Sequence, residues 1–378
     1  MAEQLWHSIR VYYYDVNKDA LLLDCIRPLF ATLRSSYGIE RIYFTRHWEG
    51  GSHLRLHVYT DTPSFEHVIG PYIIEEVGSY LRVHPSGGSF SVEEAVRQHE
   101  RRGKMVPGGL AYTAPVPNNS ILITPYDLVE RVGTAGTTQL LEDYYVDTND
   151  LTFTIIEQTR NNYTARLNAC FDQLLAFIAG VSRITLKIAW MSYRSHSEAY
   201  IVCEPTVENP RLRRQRLEQA FRERHDVILR RIRRLLERIE TAPEQLAPWL
   251  SSMISIQHCY YERTLQGVLD GSVKLNGTDN EYQWADDPQP SVLATSSFHA
   301  AMAGNAATQQ MQRHPYALTN RIILNFLYLN LSRLGMLNED RYILDYYIAE
   351  AIEELFHLSS VDLVRNFKGL DAVGFPVS

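Results

Sequence analysis

The stretch Arg46-His47-Trp48-Glu49-Gly50-Gly51-Ser52-His53-Leu54-Arg55-Leu56-His57 decides the fold. Its Gly-Gly pair lies between two runs rich in β-branched, aromatic and alternating residues, IYFTR before it and HLRLHVY after it. Glycines supply the positive φ that a tight reversal needs, so the stretch reads as a β-hairpin. Upstream, WHSIRVYYY at 6–14 reads as a strand. Asn17 or Asp19 can cap a helix to about Ser35, with Leu21, Leu22, Cys25, Leu29 and Leu33 on one face and Tyr37-Gly38 at its end. The first 60 residues thus read strand, helix, strand, strand.

Working outward, 63–83 and 91–102 read as helices, and the Gly-, Pro- and Asn-rich 103–119 as loop. Residues 137–180 read as two or three helical pieces, and a helix follows Pro210. Two more, at about 318–334 and 338–357, meet at Gly335. The longest irregular stretch is 267–292, which is also the best alternative boundary. The expected class is α+β: a single large domain, 1–378, with a mixed or antiparallel sheet covered by helices and a helical insertion at about 205–317.

Composition narrows the functional classes. At 378 residues, 45% hydrophobic and 21% charged, the chain can bury a sizeable core without staples, which excludes a disordered tail and a disulfide scaffold. No uncharged apolar run is long enough for a membrane span, and the opening residues lack the basic and apolar regions of a signal peptide. Cys25, Cys170, Cys203 and Cys259 form no CxxC pair, so no zinc site or redox motif is expected. They read as buried thiols of a cytoplasmic protein.

Alternation puts His53, Arg55 and His57 on one face of the second hairpin strand, with Leu54 and Leu56 on the other. Arg46, on the partner strand, can join them. So many cationic groups on one face are costly unless they meet solvent or an anion. The two readings are an anion pocket, most simply for a carboxylate, and a solvated sheet face.

The pattern Trp6…Tyr12-Tyr13-Tyr14, Pro28-Leu29 and Tyr43-Phe44-x-Arg46-x6-His53-Leu54-Arg55-Leu56 resembles the C-terminal, glutamate-elimination domain of class I lantibiotic dehydratases. The same family includes stand-alone thiopeptide-type bacteriocin biosynthesis proteins. Tyr126…Glu130-Arg131-x-Gly133, Glu142 with Asp147-Thr148, and Ser332-Arg333-Leu334-Gly335 resemble later family segments in the right order, so the resemblance covers about 1–180 and 318–357. It implies a maturation enzyme that expels glutamate from glutamylated Ser or Thr of a precursor peptide to give dehydroamino acids. Other members, the pyridine synthases, join two dehydroalanines by a formal aza-Diels–Alder reaction, then expel water and the leader peptide. Neither task implies a metal or organic cofactor. A third reading is a non-catalytic subunit that binds the leader peptide.

The departures from the family pattern shape the site expectations. The second arginine of the family's His-x-Arg-x-Arg is His57 here, and the elimination histidine has no counterpart, Tyr328 or Asn330 standing there. The resemblance then implies Arg46, Arg55 and His53 as the grip on a carboxylate or carbonyl, and His57 as the remaining base. Tyr328, Arg131 and Arg333 are the implied pocket donors, with Glu142 beside the substrate. Expected partners are a leader-bearing precursor peptide and, in an elimination system, a separate tRNA-dependent glutamylating protein. A homodimer stays open.

The net charge of −7 is uneven: 211–240 holds eleven arginines against five acids, a net of +6, which leaves about −13 elsewhere. Leu217, Phe221, His225, Ile228, Ile232, Leu235 and Ile239 form an apolar stripe on this segment. The helix therefore reads as one docked on the body, its arginines solvated or paired. Alternatively, Arg230, Arg231 and Arg234 form a docking surface for an acidic leader peptide or, second, for RNA phosphates. His258 and Cys259 lie in an apolar helical pattern that reads as core.

Overall fold

The structure, a computed structural model, describes residues 3–103, 113–127, 133–203, 209–275 and 295–369. Arg131 and residues 276–292 of the expected irregular stretch lie outside the described residues. The class is α+β. A four-stranded antiparallel sheet in the order β2-β3-β1-β4 accompanies a large majority of helix. The chain divides into two compact units: Met1–Arg131 with Leu141–Arg166 and Leu329–Gly335, and Val132–Leu140 with Leu167–Tyr328 and Met336–Ser378. The segment 205–317 falls wholly within the second.

The first unit is built on the sheet: β1 (Gln4–Tyr12), β2 (Ile42–His47), β3 (His53–Asp61) and β4 (Ile121–Thr124). The expected hairpin is β2–β3, and its turn requires both glycines. Gly50 and Gly51 have φ of 72° and 119°, and a Cβ on Gly51 would lie 2.4 Å from the Tyr14 ring. Helices α1 (Arg27–Tyr37), α2 (Gly70–Val83), α3 (Val92–Gly103) and α5 (Asn149–Gln158) belong to the same unit. Gly38, at φ 69°, ends α1 as expected. One sheet face is apolar: Ile9, Val11, Phe44, Leu54, Leu56 and Val58 are fully buried. Phe153 of α5 packs its ring edge-on to Phe30 and tilted against Phe44, at 5.9 and 5.3 Å between centroids.

Helices α4 (Ala135–Asp147) and α6 (Tyr163–Ala176) divide their residues between the two units. The second unit is all helical in its core. It holds α7 (Met191–Cys203), α8 (Pro210–Thr241), α9 (Pro248–Asp270), most of α10 (Pro315–Arg333), and α11 (Asn338–Phe356). The short helices Ser297–Ala303, Ala306–Gln312 and Ser360–Arg365 complete it. Helix α8 begins where Asn209 accepts the Arg211 N–H at 2.8 Å with Pro210 in the first turn. Its buried stripe is Leu217, Phe221, Ile228, Leu229, Ile232 and Leu235, joined by Arg213. His225 departs from the expected stripe: it lies half exposed and meets Glu354 at 2.8 Å, because an imidazole beside a carboxylate gains more there than in an apolar seam.

Two other expectations are corrected. Cys25 and Cys170 are buried, but Cys203 is half-buried and Cys259 exposed. His258 is exposed beside Cys259 rather than in the core, since the face of α9 that turns inward carries Met253, Gln257, Tyr260, Tyr261 and Thr264. Among the described residues no helix is long and apolar enough to cross a membrane, and no group of His, Cys, Asp and Glu is placed to hold a metal ion.

Candidate functional site

The register of the sheet assigns the hairpin residues. His57 lies opposite Tyr43, Arg55 opposite Thr45 and His53 opposite His47, while Arg46 lies opposite Leu54. Cross-strand partners share a face, so Arg46 is on the apolar side and does not join Arg55. Its Nε donates to the Arg333 carbonyl at 2.9 Å, and burial pushes its pKa down to about 10.

On the other face, His53, Arg55 and His57 come together, but buried, at 0, 5 and 4% exposure. The anion that balances Arg55 is the chain's own. Nη1 donates to both oxygens of Asp127 at 2.8 and 3.1 Å, and Nη2 donates to Glu49 at 3.2 Å. Its Nε donates to His53 Nε2 at 3.2 Å, while His53 Nδ1 donates to the Gly51 carbonyl at 2.8 Å. His53 is therefore neutral, and burial, with Arg55 nearby, pushes its pKa down to about 3. Burial, then Arg55 and Arg10, also holds His57 well below an ordinary histidine. The expected carboxylate grip is thus an internal ionic network. A buried guanidinium requires its counter-ions within the fold, and Asp127 and Glu49 supply them.

Two further expected site residues are engaged within the fold. Arg333 is 1% exposed, its guanidinium 4.7 Å from the Phe44 ring centroid and 5.2 Å from that of Tyr145. It donates to the Tyr145 carbonyl, Thr148 Oγ1, Asn330 Oδ1 and Asn149 Oδ1. It ties helix ends together rather than facing a substrate. Glu142 accepts the Tyr126 hydroxyl at 2.6 Å, and Tyr126 stacks on Trp6. Burial raises the Glu142 pKa.

Tyr328 is different. It lines a cavity of about 390 Å³ within the second unit, with Ser192, Ser195, His196, Asn320 and Arg341 as polar neighbours. Phe298, Met302, Met311 and Leu324 supply apolar wall. The Tyr328 hydroxyl lies 2.9 Å from His196 Nδ1 and 3.0 and 3.1 Å from the two Asp345 oxygens. Asp345 is fully buried, and that burial pushes its pKa up to about 8 despite the attraction of Arg341. Arg341 stacks on the Tyr328 ring at 4.6 Å. The His196 ring is 41% exposed, and its Nε2 has no hydrogen-bond partner among the described residues. Desolvation, then the charges of Arg341 and Arg321, push its pKa down to about 3.

With Asp345 ionised, Tyr328 donates to its carboxylate and accepts from His196 Nδ1–H. With Asp345 protonated, the form its raised pKa favours near neutral pH, the carboxyl donates to Tyr328, Tyr328 donates to His196 Nδ1, and Nε2 carries the ring hydrogen. Passing each proton one step along lets Nε2 give its hydrogen to a bound molecule without forming an imidazolium, and leaves Asp345 ionised. The reverse shift takes a proton back. Such an arrangement can serve as an acid–base relay opening on a cavity.

Sequence reasoning singled out Tyr328 but neither His196 nor Asp345. His196 comes from α7 and Asp345 from α11, so no local pattern joins them to residue 328.

The family described as "Lantibiotic biosynthesis dehydratase C-term" matches residues 6–352. The chain belongs to this family. Membership puts it among proteins that mature ribosomally made peptides. Curated protein sequences give no match. Among solved structures, the fold is similar to the pyridine synthase TbtD from thiomuracin biosynthesis, with TM-score 0.73, 24% identity, and coverage of 94% of this chain and 99% of that one. TsrL is similar with TM-score 0.72 and 22% identity, covering 97% of this chain and 100% of that one. The tRNA-dependent lantibiotic dehydratase MibB from Microbispora sp. 107891 is more distant, with TM-score 0.51 and 14% identity. There the match covers 93% of this chain and 28% of that one. Glutamate elimination, the leading expectation from the hairpin pattern, is not confirmed by these comparisons; in fold and extent the chain is similar to TbtD and TsrL.

Proposed function

We propose that this protein is a pyridine-forming enzyme that joins two dehydroalanines of a precursor peptide, and that the cavity around Tyr328 is where it acts. The observation that carries the reading is the His196–Tyr328–Asp345 relay on a mixed polar and apolar cavity. Near-complete overlap with a pyridine synthase, against overlap with 28% of a full dehydratase, supports it.

The chemistry follows from the atoms. One dehydroalanine contributes its Cα=Cβ bond as the two-atom partner. The other contributes Cα=Cβ together with its nitrogen, and the preceding amide must shift to its iminol form to complete a C=C–N=C unit. Two bonds close the ring: Cβ to Cβ, and the hydroxyl-bearing carbon to the Cα of the two-atom partner. Loss of water, then of the leader as its carboxamide, leaves an aromatic pyridine, and no oxidant is needed.

Iminol formation moves a proton from the amide nitrogen to its oxygen, whereas loss of water and loss of the leader each deliver a proton to the departing heteroatom and take one from a ring CH2 that was a dehydroalanine Cβ. His196 Nε2 gives a proton to the amide oxygen as the relay shifts, and takes the amide N–H proton as it resets. The same shift protonates the departing hydroxyl and then the leader nitrogen, and each reset takes the proton that leaves the ring carbon. Ser192, Ser195 and Asn320 orient the peptide carbonyls, and the apolar wall excludes water that would otherwise add to the dehydroalanines.

Two substrates assayed side by side test the reading. A leader-bearing peptide with two dehydroalanines is expected to give a macrocycle and free leader by mass spectrometry. A glutamylated precursor is expected to keep its glutamate. Release of glutamate without ring formation would restore elimination as the activity.

A further inference from the structure

Helix α8 carries a second candidate site, well separated in sequence from Tyr328. A cavity of about 260 Å³ is lined by Asp172, Val227, Arg230, Arg231, Arg234, Leu235 and Arg238. Its single acid is already engaged: Arg231 grips Asp172 through Nε and Nη2 at 2.6 and 2.7 Å. Among the described residues the side chains of Arg230, Arg234 and Arg238 show no hydrogen bond or close ion pair, although Asp226 attracts Arg230 and Asp172 attracts Arg238 from further off. Elsewhere on α8 the contrast is clear. Arg213 donates to the Tyr200 and Ile201 carbonyls, Arg214 pairs with Glu198, and Arg216 pairs with Glu339.

Spacing turns the three into a row. Positions 230, 234 and 238 recur every four residues, so the guanidinium stems stand on one face about 6 Å apart along the axis. Like charges at this spacing repel one another, a cost that an anionic ligand removes. Val227, 62% exposed, and Leu235 add an apolar footing beside the row.

We propose that this trench binds an acidic peptide segment, its carboxylates meeting Arg230, Arg234 and Arg238. Charge decides between peptide and nucleic acid. The whole chain is at −7 with a pI near 6.0, which repels a long polyanion, and the row spans only about 12 Å by the helix rise. A few carboxylates fit that length, and the apolar footing suits side chains rather than a sugar–phosphate backbone. Naming the occupant as an acidic stretch of the precursor rests on the reading that this enzyme acts on a peptide.

Binding, not turnover, is the test. Fluorescence anisotropy would follow a labelled peptide of about a dozen residues with Glu at every fourth position, a matched peptide with Gln in its place, and a labelled RNA oligonucleotide. The Glu peptide is expected to bind at least about tenfold tighter than the Gln peptide, with an affinity that falls as salt rises. The triple variant Arg230→Gln, Arg234→Gln, Arg238→Gln is expected to lose about tenfold or more and to flatten the salt dependence. Should that variant lose its cooperative melt, Arg234→Glu alone gives the same readout. Unchanged Glu-peptide affinity in a folded variant would overturn the proposal, as would RNA binding tighter than the peptide through the same arginines. The assay contains no dehydroalanine. Peptide binding without pyridine formation therefore overturns the reaction and leaves the trench, and pyridine formation without peptide binding does the reverse.

Discussion

The hydroxyl of Tyr328 lies 2.9 Å from Nδ1 of His196, a contact between helices 132 residues apart in sequence. Tyr328→Phe removes this bridge and keeps the ring under Arg341. The expected outcome is a fall in kcat of about a hundredfold or more with little change in KM. His196→Asn should lose a similar amount, and the double variant should lose little more than either alone, because the residues act as one relay. Single-turnover assays of all three, with thermal melts to confirm folding, check this; additive losses would separate the two groups.

The relay works only while Asp345 holds a proton to pass on. Its folded pKa is raised to about 8, so the competent form prevails below that value and is lost as pH rises through it. The rate should therefore fall above about pH 8. Asp345→Asn donates a hydrogen bond at every pH but cannot pass a proton, so it should lower kcat and abolish this limb. A pH–rate profile of both proteins checks the assignment.

Stability should fall on the acid side. His53 and His196 have folded pKa values near 3, and His57 is also depressed, against about 6.5 when unfolded. Below pH 6.5 the unfolded chain takes up three protons that the folded chain refuses, so acid favours unfolding. Asp345 opposes this with one proton, because above about pH 4 the unfolded carboxyl has released a proton that the folded one retains. The His196 ring is 41% exposed, so solvent screens its share; the remaining balance of one proton gives a loss of up to about 1.4 kcal/mol per pH unit. Melting temperatures between pH 6.5 and 4.5 measure it, and His196→Asn should lessen the slope.

Arg333 holds Phe44, Tyr145 and the start of α5 in register from a fully buried position. Lysine keeps the charge but not the planar fork or the stacking, so Arg333→Lys should cost about 3 kcal/mol in denaturant unfolding. A loss below about 1 kcal/mol would show that the carbonyls and hydroxyl it serves find other donors.

Much of the first unit was legible in the sequence because its signals are local. The Gly50-Gly51 turn, the alternation of β3 and the Gly38 stop each act within a few residues. The face of Arg46 follows from the hairpin register: a five-residue loop from Trp48 to Ser52 sets His47 opposite His53 and so Arg46 opposite Leu54. Strand β4 was missed because its four residues, Ile121–Thr124, follow closely on the 103–119 loop and are too few for a strand pattern to show. Helix α7 shows no clear stripe. Tyr193, Arg194, Ser197, Glu198, Tyr200 and Ile201 are all buried, so it is enclosed on more than one side and polar residues enter its core. That is why His196 escaped notice. The face of His53, Arg55 and His57 was read correctly from alternation, but not the carboxylates that fill it, since Asp127 reaches Arg55 from 72 residues away.

The central claim is ring closure through the iminol of a backbone amide, and an oxygen label tests it most directly. The substrate is a leader-bearing peptide with two dehydroalanines and oxygen-18 in the carbonyl that precedes the azadiene nitrogen. The account predicts a pyridine macrocycle without the label, labelled water, and leader carboxamide in equal molar amount. A product that keeps the label, or a substrate returned unchanged by a folded protein, would contradict it.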